Sequence, residues 1–326
     1  MYNMPKALMF ILLLSLVNLS FPVLAANNVV ITPLGSHDGE FCRNDRALLL
    51  QDPDGTRILY DAGRTVRGAD DPRLGKVDIV LLSHVHGDHL GDQHASKANN
   101  GSCEKPTFDV DDTPNSNTLN IAIAKKATML LGGEMAAFFK QRLQKMGADT
   151  QLVQVLRFGA SYKKGKLEIA SVPAVHSNGL NPAFLDGQLA KDLKENGLTA
   201  YVGPPNGYIV KFSNGLSLYL SGDTGVTAEQ DLVVRRLYHA KLVVMNIGDT
   251  YTTGPAEAAW VINELIKPRA VIASHANEAA TLDGKLLTNT RSLLFKKRVK
   301  RIPVLLPLSG VSMSFNAKGQ CVENCK

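Results

Sequence analysis

Past residue 25 the sequence holds no apolar stretch long enough to cross a bilayer, which takes about 20 residues in a helix. Low-complexity tracts and short-period repeats are missing, and no linker rich in glycine, serine or proline divides the chain. One domain over residues 26–326 is the simpler expectation, and 44% hydrophobic residues supply its core without cross-links. Neither sign of charge is in large excess: the formal net charge is +6, including Lys6. The densest basic run, Lys296-Lys297-Arg298-Val299-Lys300-Arg301, ends an expected helix, where cations favour the dipole. No nucleic-acid partner is expected.

Cysteine is scarce, and the spacing of Cys42, Cys103, Cys321 and Cys325 is not that of a zinc site. The four allow three complete pairings; a local bridge in the tail KGQCVENCK together with Cys42–Cys103 is the expected set. An oxidising compartment makes pairing plausible. Residues 1–25 point to one: Lys6 precedes ALMFILLLSLVNL, and small residues surround Val23-Leu24-Ala25, the pattern of a cleavable export signal. The apolar stretch is too short for a spanning anchor. A periplasmic or secreted protein without stable membrane insertion is expected.

Short apolar or β-branched runs recur, among them VVITPL, RILYDAG, VDIVLLSH, LEIASVPAVH, LSLYLSGD and AVIASH, and read as strands. Between them, helical spacing covers roughly 117–127, 133–146, 226–238, 255–266 and 288–298; Gly254-Pro255 opens the fourth. Hairpin-like strands joined at Asp54-Gly55 and at Asn214-Gly215 each precede strand–helix alternation. That order predicts an α/β protein of two similar halves packed sheet to sheet, with helices outside. Two stretches look inserted, 92–120 and 180–201, and the second is expected to form a flap beside the site.

Histidine, with eight residues in the chain, is concentrated: three fall within Ser83-His84-Val85-His86-Gly87-Asp88-His89. His84 and His86, two apart in an extended segment, face one way, and Gly87 permits a turn that lets Asp88 and His89 face a second point. One loop can thus serve two metals. Three further polar residues end apolar runs: His176, Asp223 and His275. Strand ends are where α/β folds place ligand sites.

HVHGDH resembles the HxHxDH signature of the metallo-β-lactamase superfamily, with His176, Asp223 and His275 matching its later ligands in order. LLSHVHGDHLGD, AVHSNG and NIGDTYTTGPAEAA resemble the metal-dependent hydrolases related to ascorbate-6-phosphate lactonase. The resemblance implies a four-layer αββα sandwich. It implies that His84, His86 and His176 bind one metal, that Asp88, His89 and His275 bind another, and that Asp223 bridges them. Two divalent ions are expected, Zn²⁺ first, with Mn²⁺ or Fe²⁺ as alternatives. A hydroxide bridging them would attack an ester or lactone carbonyl of a small molecule, with Asp88 as proton shuttle. For Asp61 the resemblance suggests a role orienting ligand histidines; capping a turn is the other reading. Tyr251 is the best placed of the tyrosines to donate to a substrate.

A phosphodiesterase uses the same two metals and would show a basic cluster around the pocket. A β-lactamase is the third reading, lacking its usual surrounding motifs, and a non-catalytic metal-binding protein is the fourth, since fold does not fix function.

Overall fold

The computed structural model describes Met1 and residues 27–325; apart from Met1, the expected leader lies outside the described residues. Two sheets carry the chain. The first runs, edge to edge, Cys321–Glu323, Met313–Phe315, Val29–Pro33, Leu48–Gln51, Arg57–Tyr60, Ile79–Leu81, Thr128–Leu131 and Val153–Val155. The second runs Val304–Leu305, Ala270–Ser274, Leu242–Asn246, Ser217–Leu220, Asn206–Lys211, Leu167–Pro173 and Ser161–Lys164.

Both sheets repeat one plan. Leu48–Gln51 and Arg57–Tyr60 pair antiparallel across Asp54-Gly55, and Ile79–Leu81, Thr128–Leu131 and Val153–Val155 then add in parallel. Asn206–Lys211 and Ser217–Leu220 pair antiparallel across Asn214-Gly215, and three more strands add in parallel. Gly55 and Gly215 sit at φ +89° and +87°, which a β-carbon would resist. The chain end returns to the first half, where Met313–Phe315 pairs with Val29–Pro33.

Side chains alternate across each strand. Leu48 and Leu50 join the core between the sheets, with Ile169, Tyr208 and Leu218 from the second sheet. Leu49 points the other way, beneath the helices Asn117–Lys125 and Gly133–Lys145, with Leu119 and Phe139. A third cluster, with Val243, Val271, Ile262 and Phe295, joins the second sheet to the helical turns 255–266 and Arg291–Arg298. Three cores separate four layers, helix–sheet–sheet–helix. Each fully buried aliphatic side chain contributes roughly 1.5–3 kcal/mol. Central parallel strands buried on both faces explain why IVL, LVVMN and AVIAS read as continuous apolar runs.

Both expected disulfides form, Cys42–Cys103 and Cys321–Cys325. Among the described residues, no helix is long and apolar enough to cross a membrane.

Candidate metal centre

Four of the candidate side chains lie within three residues of strand ends. His84 follows Ile79–Leu81, His176 follows Leu167–Pro173, Asp223 follows Ser217–Leu220 and His275 follows Ala270–Ser274. His86 caps the short helix Gly87–Leu90, whose single turn carries Asp88 and His89 back to the centre. That turn lies against Gly63, at φ +53°, where a β-carbon would stand 2.3 Å from Asp88 O. His275 itself holds a positive φ of +50°, the kind of local strain that persists where surroundings enforce it.

All seven predicted residues converge. His84 Nε2 and His176 Nε2 lie 3.0 and 3.2 Å from His86 Nδ1, so three ring nitrogens face one point. Asp88, His89 and His275 form a second group, with His275 Nε2 3.4 Å and His89 Nε2 3.7 Å from Asp88 Oδ2. Asp223 faces both: Oδ2 is 3.1 Å from His275, 3.7 Å from His176 and 3.8 Å from His84, and Oδ1 is 3.3 Å from His89.

Of the two readings of Asp61, its contacts match the orienting one. Its backbone turns at φ +43°, its Oδ1 accepts from Ser83 N, and its Oδ2 accepts from His89 Nδ1 at 2.8 Å and from Ser83 Oγ at 2.7 Å. Because the Ser83 hydroxyl proton goes to Asp61, Ser83 Oγ accepts from His84 Nδ1 at 2.9 Å. In the neutral ring, a proton on the δ nitrogen leaves the Nε2 lone pair facing the centre, the arrangement a metal ligand needs.

Electrostatics point the same way. Burial and neighbouring His89 push His84 well below the ordinary imidazole range, and burial also lowers His86 and His176. Neutral rings are the form that binds metal. Burial also opposes charge on Asp88 and Asp223, but His89, His275 and, for Asp88, Arg46 outweigh it and hold both carboxylates ionised. His89, raised against burial by those carboxylates and Asp61, is the exception among the rings and must give up its second proton to bind a metal ion. His89 Nε2, Asp223 Oδ1 and His275 Nε2 are buried without any hydrogen-bond partner, an expensive arrangement unless something else binds them. Donor set and orphaned atoms together fit divalent cations.

The centre opens into a cavity of about 380 Å³. Sequence reasoning missed its most telling lining, Arg43, Arg46, Arg64 and Asn277. Arg46 donates from Nε to Asp88 Oδ2 at 3.1 Å and from Nη2 to Asn277 Oδ1 at 2.7 Å. Arg64 clamps Asp92 with Nε and Nη2, leaving Nη1 unengaged, and Arg43 pairs with Glu104 at the rim. Proximity to Asp61 was a signal for Arg64, and proximity to His275 one for Asn277; nothing local marked Arg43 and Arg46. Tyr251 lines the same cavity and is 74% exposed. His37, His94 and His239 stay outside it.

The two inserted stretches behave differently. The first reaches the rim through Cys103, bonded to Cys42, and Glu104. The second places no residue in the cavity lining, which corrects the expected flap. It packs on the helix Gly133–Lys145 instead: Leu180 and Phe184 are buried in that helix's core, Arg142 donates to Phe184 O, and Lys145 pairs with Asp186 at 2.9 Å.

A family model described as the beta-lactamase superfamily domain matches residues 44–275, ending on the last of the seven residues. A UPF0173 metal-dependent hydrolase of Cupriavidus necator is 32% identical over 245 residues, 73% of this chain and 73% of that protein. One from Cupriavidus metallidurans is 32% identical over 222 residues, 65% of this chain and 61% of that protein, so the match spans less than two thirds of that relative. Igni18, a metallo hydrolase from Ignicoccus hospitalis, shares the fold with a TM-score of 0.58 at 21% identity, over 88% of this chain and 99% of that one. The chain therefore belongs to the metallo-β-lactamase superfamily and, within it, to the UPF0173 metal-dependent hydrolases.

Proposed function

We propose that the protein is an exported hydrolase with two divalent ions, cleaving an ester or lactone bond in a small substrate that carries an anionic group. The observation that carries this reading is Asp223, one carboxylate set between two groups of ligand atoms. His84, His86 and His176 hold one ion, Asp88, His89 and His275 the other, and Asp223 serves both. When bound, the pair supplies a water that ionises near neutral pH and a Lewis acid for the scissile oxygen. Zn²⁺ suits so many nitrogen donors best, with Mn²⁺ and Fe²⁺ as alternatives.

The chain supplies the rest. Asp61 and Ser83 hold His89 and His84 in the productive tautomer. Arg46 keeps Asp88 ionised and fixed, so that Asp88 can take a proton from the attacking water and return it to the leaving group. Arg43, Arg64 and Asn277 face the cavity as donors for an anionic substituent.

The three arginines also favour a second reading, phosphodiester hydrolysis, for which a basic pocket wall is the expected mark. Metal analysis of the purified protein, combined with rates on lactones, phosphodiesters and β-lactams, tests both. Fewer than two metals at full activity removes the shared-carboxylate reading; a preference for phosphodiesters replaces the carbonyl substrate by the second reading.

A further inference from the structure

A second cavity, of about 280 Å³, opens at the carboxyl end of the strand Thr128–Leu131 and shares no lining residue with the first. Gly132, Gly133, Glu134, Arg157, Phe158 and Asn206 line it. The 13-residue helix Gly133–Lys145 begins there, with Gly132 at its N-cap and no side chain capping its first turn. First-turn N–H groups have no acceptor within their helix, and they sit at the positive end of its dipole.

Two independent features join them. The Arg157 guanidinium lies over the same turn: a β-carbon on Gly133 would stand 3.2 Å from Nη2. Asn206 is 1% exposed, and its Oδ1 accepts from Ser171 Oγ, but its Nδ2 is buried without a partner. A β-carbon on Gly132 would stand 3.4 Å from that nitrogen, so the two glycines leave open the space between helix end, amide and cation. A buried donor without an acceptor carries its full desolvation penalty. The wall also backs onto the ligand loop, since Asn206 N donates to Ser83 O at 2.8 Å.

We propose that this cavity binds a phosphate-class oxyanion, separate from the metal centre. The first-turn N–H groups cradle it as helix N-termini do, Arg157 forks onto its oxygens, and Asn206 Nδ2 gains its missing acceptor. Phe158, 40% exposed at the rim, offers a face to a planar group esterified to the phosphate. Glu134 is the one acid in the lining and opposes the ligand.

The test is calorimetric titration of the full chain, stripped of metal, with inorganic phosphate and with phenyl phosphate. Saturable binding is expected, weakened roughly tenfold or more in Arg157→Gln and strengthened in Glu134→Gln. Gly133→Asp places a carboxylate under Arg157; it should raise the thermal midpoint and abolish the response to phosphate. Equal affinity for the two probes assigns the site to free phosphate, and tighter binding of phenyl phosphate to an organic monoester. The proposal is overturned if neither probe binds, or if Arg157→Gln keeps the parent's affinity.

Discussion

Among single residues, Asp223 has the largest expected consequence, because its two oxygens face both ligand groups. Asp223→Ala should lower the content of both metals, whereas His176→Ala, which touches only one group, should empty mainly one. Elemental analysis of the two variants, reconstituted in parallel, decides it; equal losses would reject the sharing. Asp71 matters away from the site. Burial would raise its carboxyl, but hydrogen bonds and charge from Arg73, with the Arg67 and Arg73 backbone N–H groups, hold it well below the ordinary range. A depressed folded pKa means that the stabilisation is complete above the unfolded value of about 4 and is lost as pH falls below it. Asp71→Asn should therefore cost about 3–5 kcal/mol at neutral pH, by stranding a mostly buried Arg73, and should flatten the acid limb of a stability–pH curve. A variant as acid-sensitive as the parent would contradict this.

Individual elements differ in how visible they were. Strands with strong alternation or continuous apolar runs were legible, and the histidine-rich loop was legible because its ligands are contiguous. Thr128–Leu131 was missed because TMLL, between two helices, carries no periodicity that separates strand from helix. Ser161–Lys164 is a polar edge strand, so its pattern resembles a loop. The segment 180–201 was misplaced by sequence proximity to His176. Since Phe184 is buried under the helix Gly133–Lys145, Phe184→Ala should cost about 3–5 kcal/mol and leave the substrate ranking unchanged. A changed ranking across lactones and phosphodiesters, at unchanged stability, would restore the flap. The other insertion carries the opposite expectation: Cys42–Cys103 closes a 61-residue separation next to Arg43. Cys103→Ser should cost up to about 4 kcal/mol and raise KM for an anionic substrate more than for a neutral one, as measured by steady-state kinetics.

At the scale of the whole molecule, the proposed export and the fold make separate demands. The leader pattern predicts that the processed protein begins at Ala26 or Asn27, which intact mass of the periplasmic or secreted form checks; a retained leader in the membrane fraction would mean an anchor. Val29–Pro33 lies inside the first sheet, so cleavage before it leaves every described strand intact. The paired-sheet plan and the seven candidate ligands could be read from the chain, because each depends on local chemistry: turn residues, side-chain alternation, or polar residues at the ends of apolar runs; the cysteine pairing was one choice among three that the sequence allows. The arginine-lined wall, the Ser83 link between Asp61 and His84, and the Asn206–Arg157 cavity could not. Arg46 and Asn277 lie 231 positions apart and meet only when the two halves pack, and contacts between distant side chains leave no periodicity in a sequence.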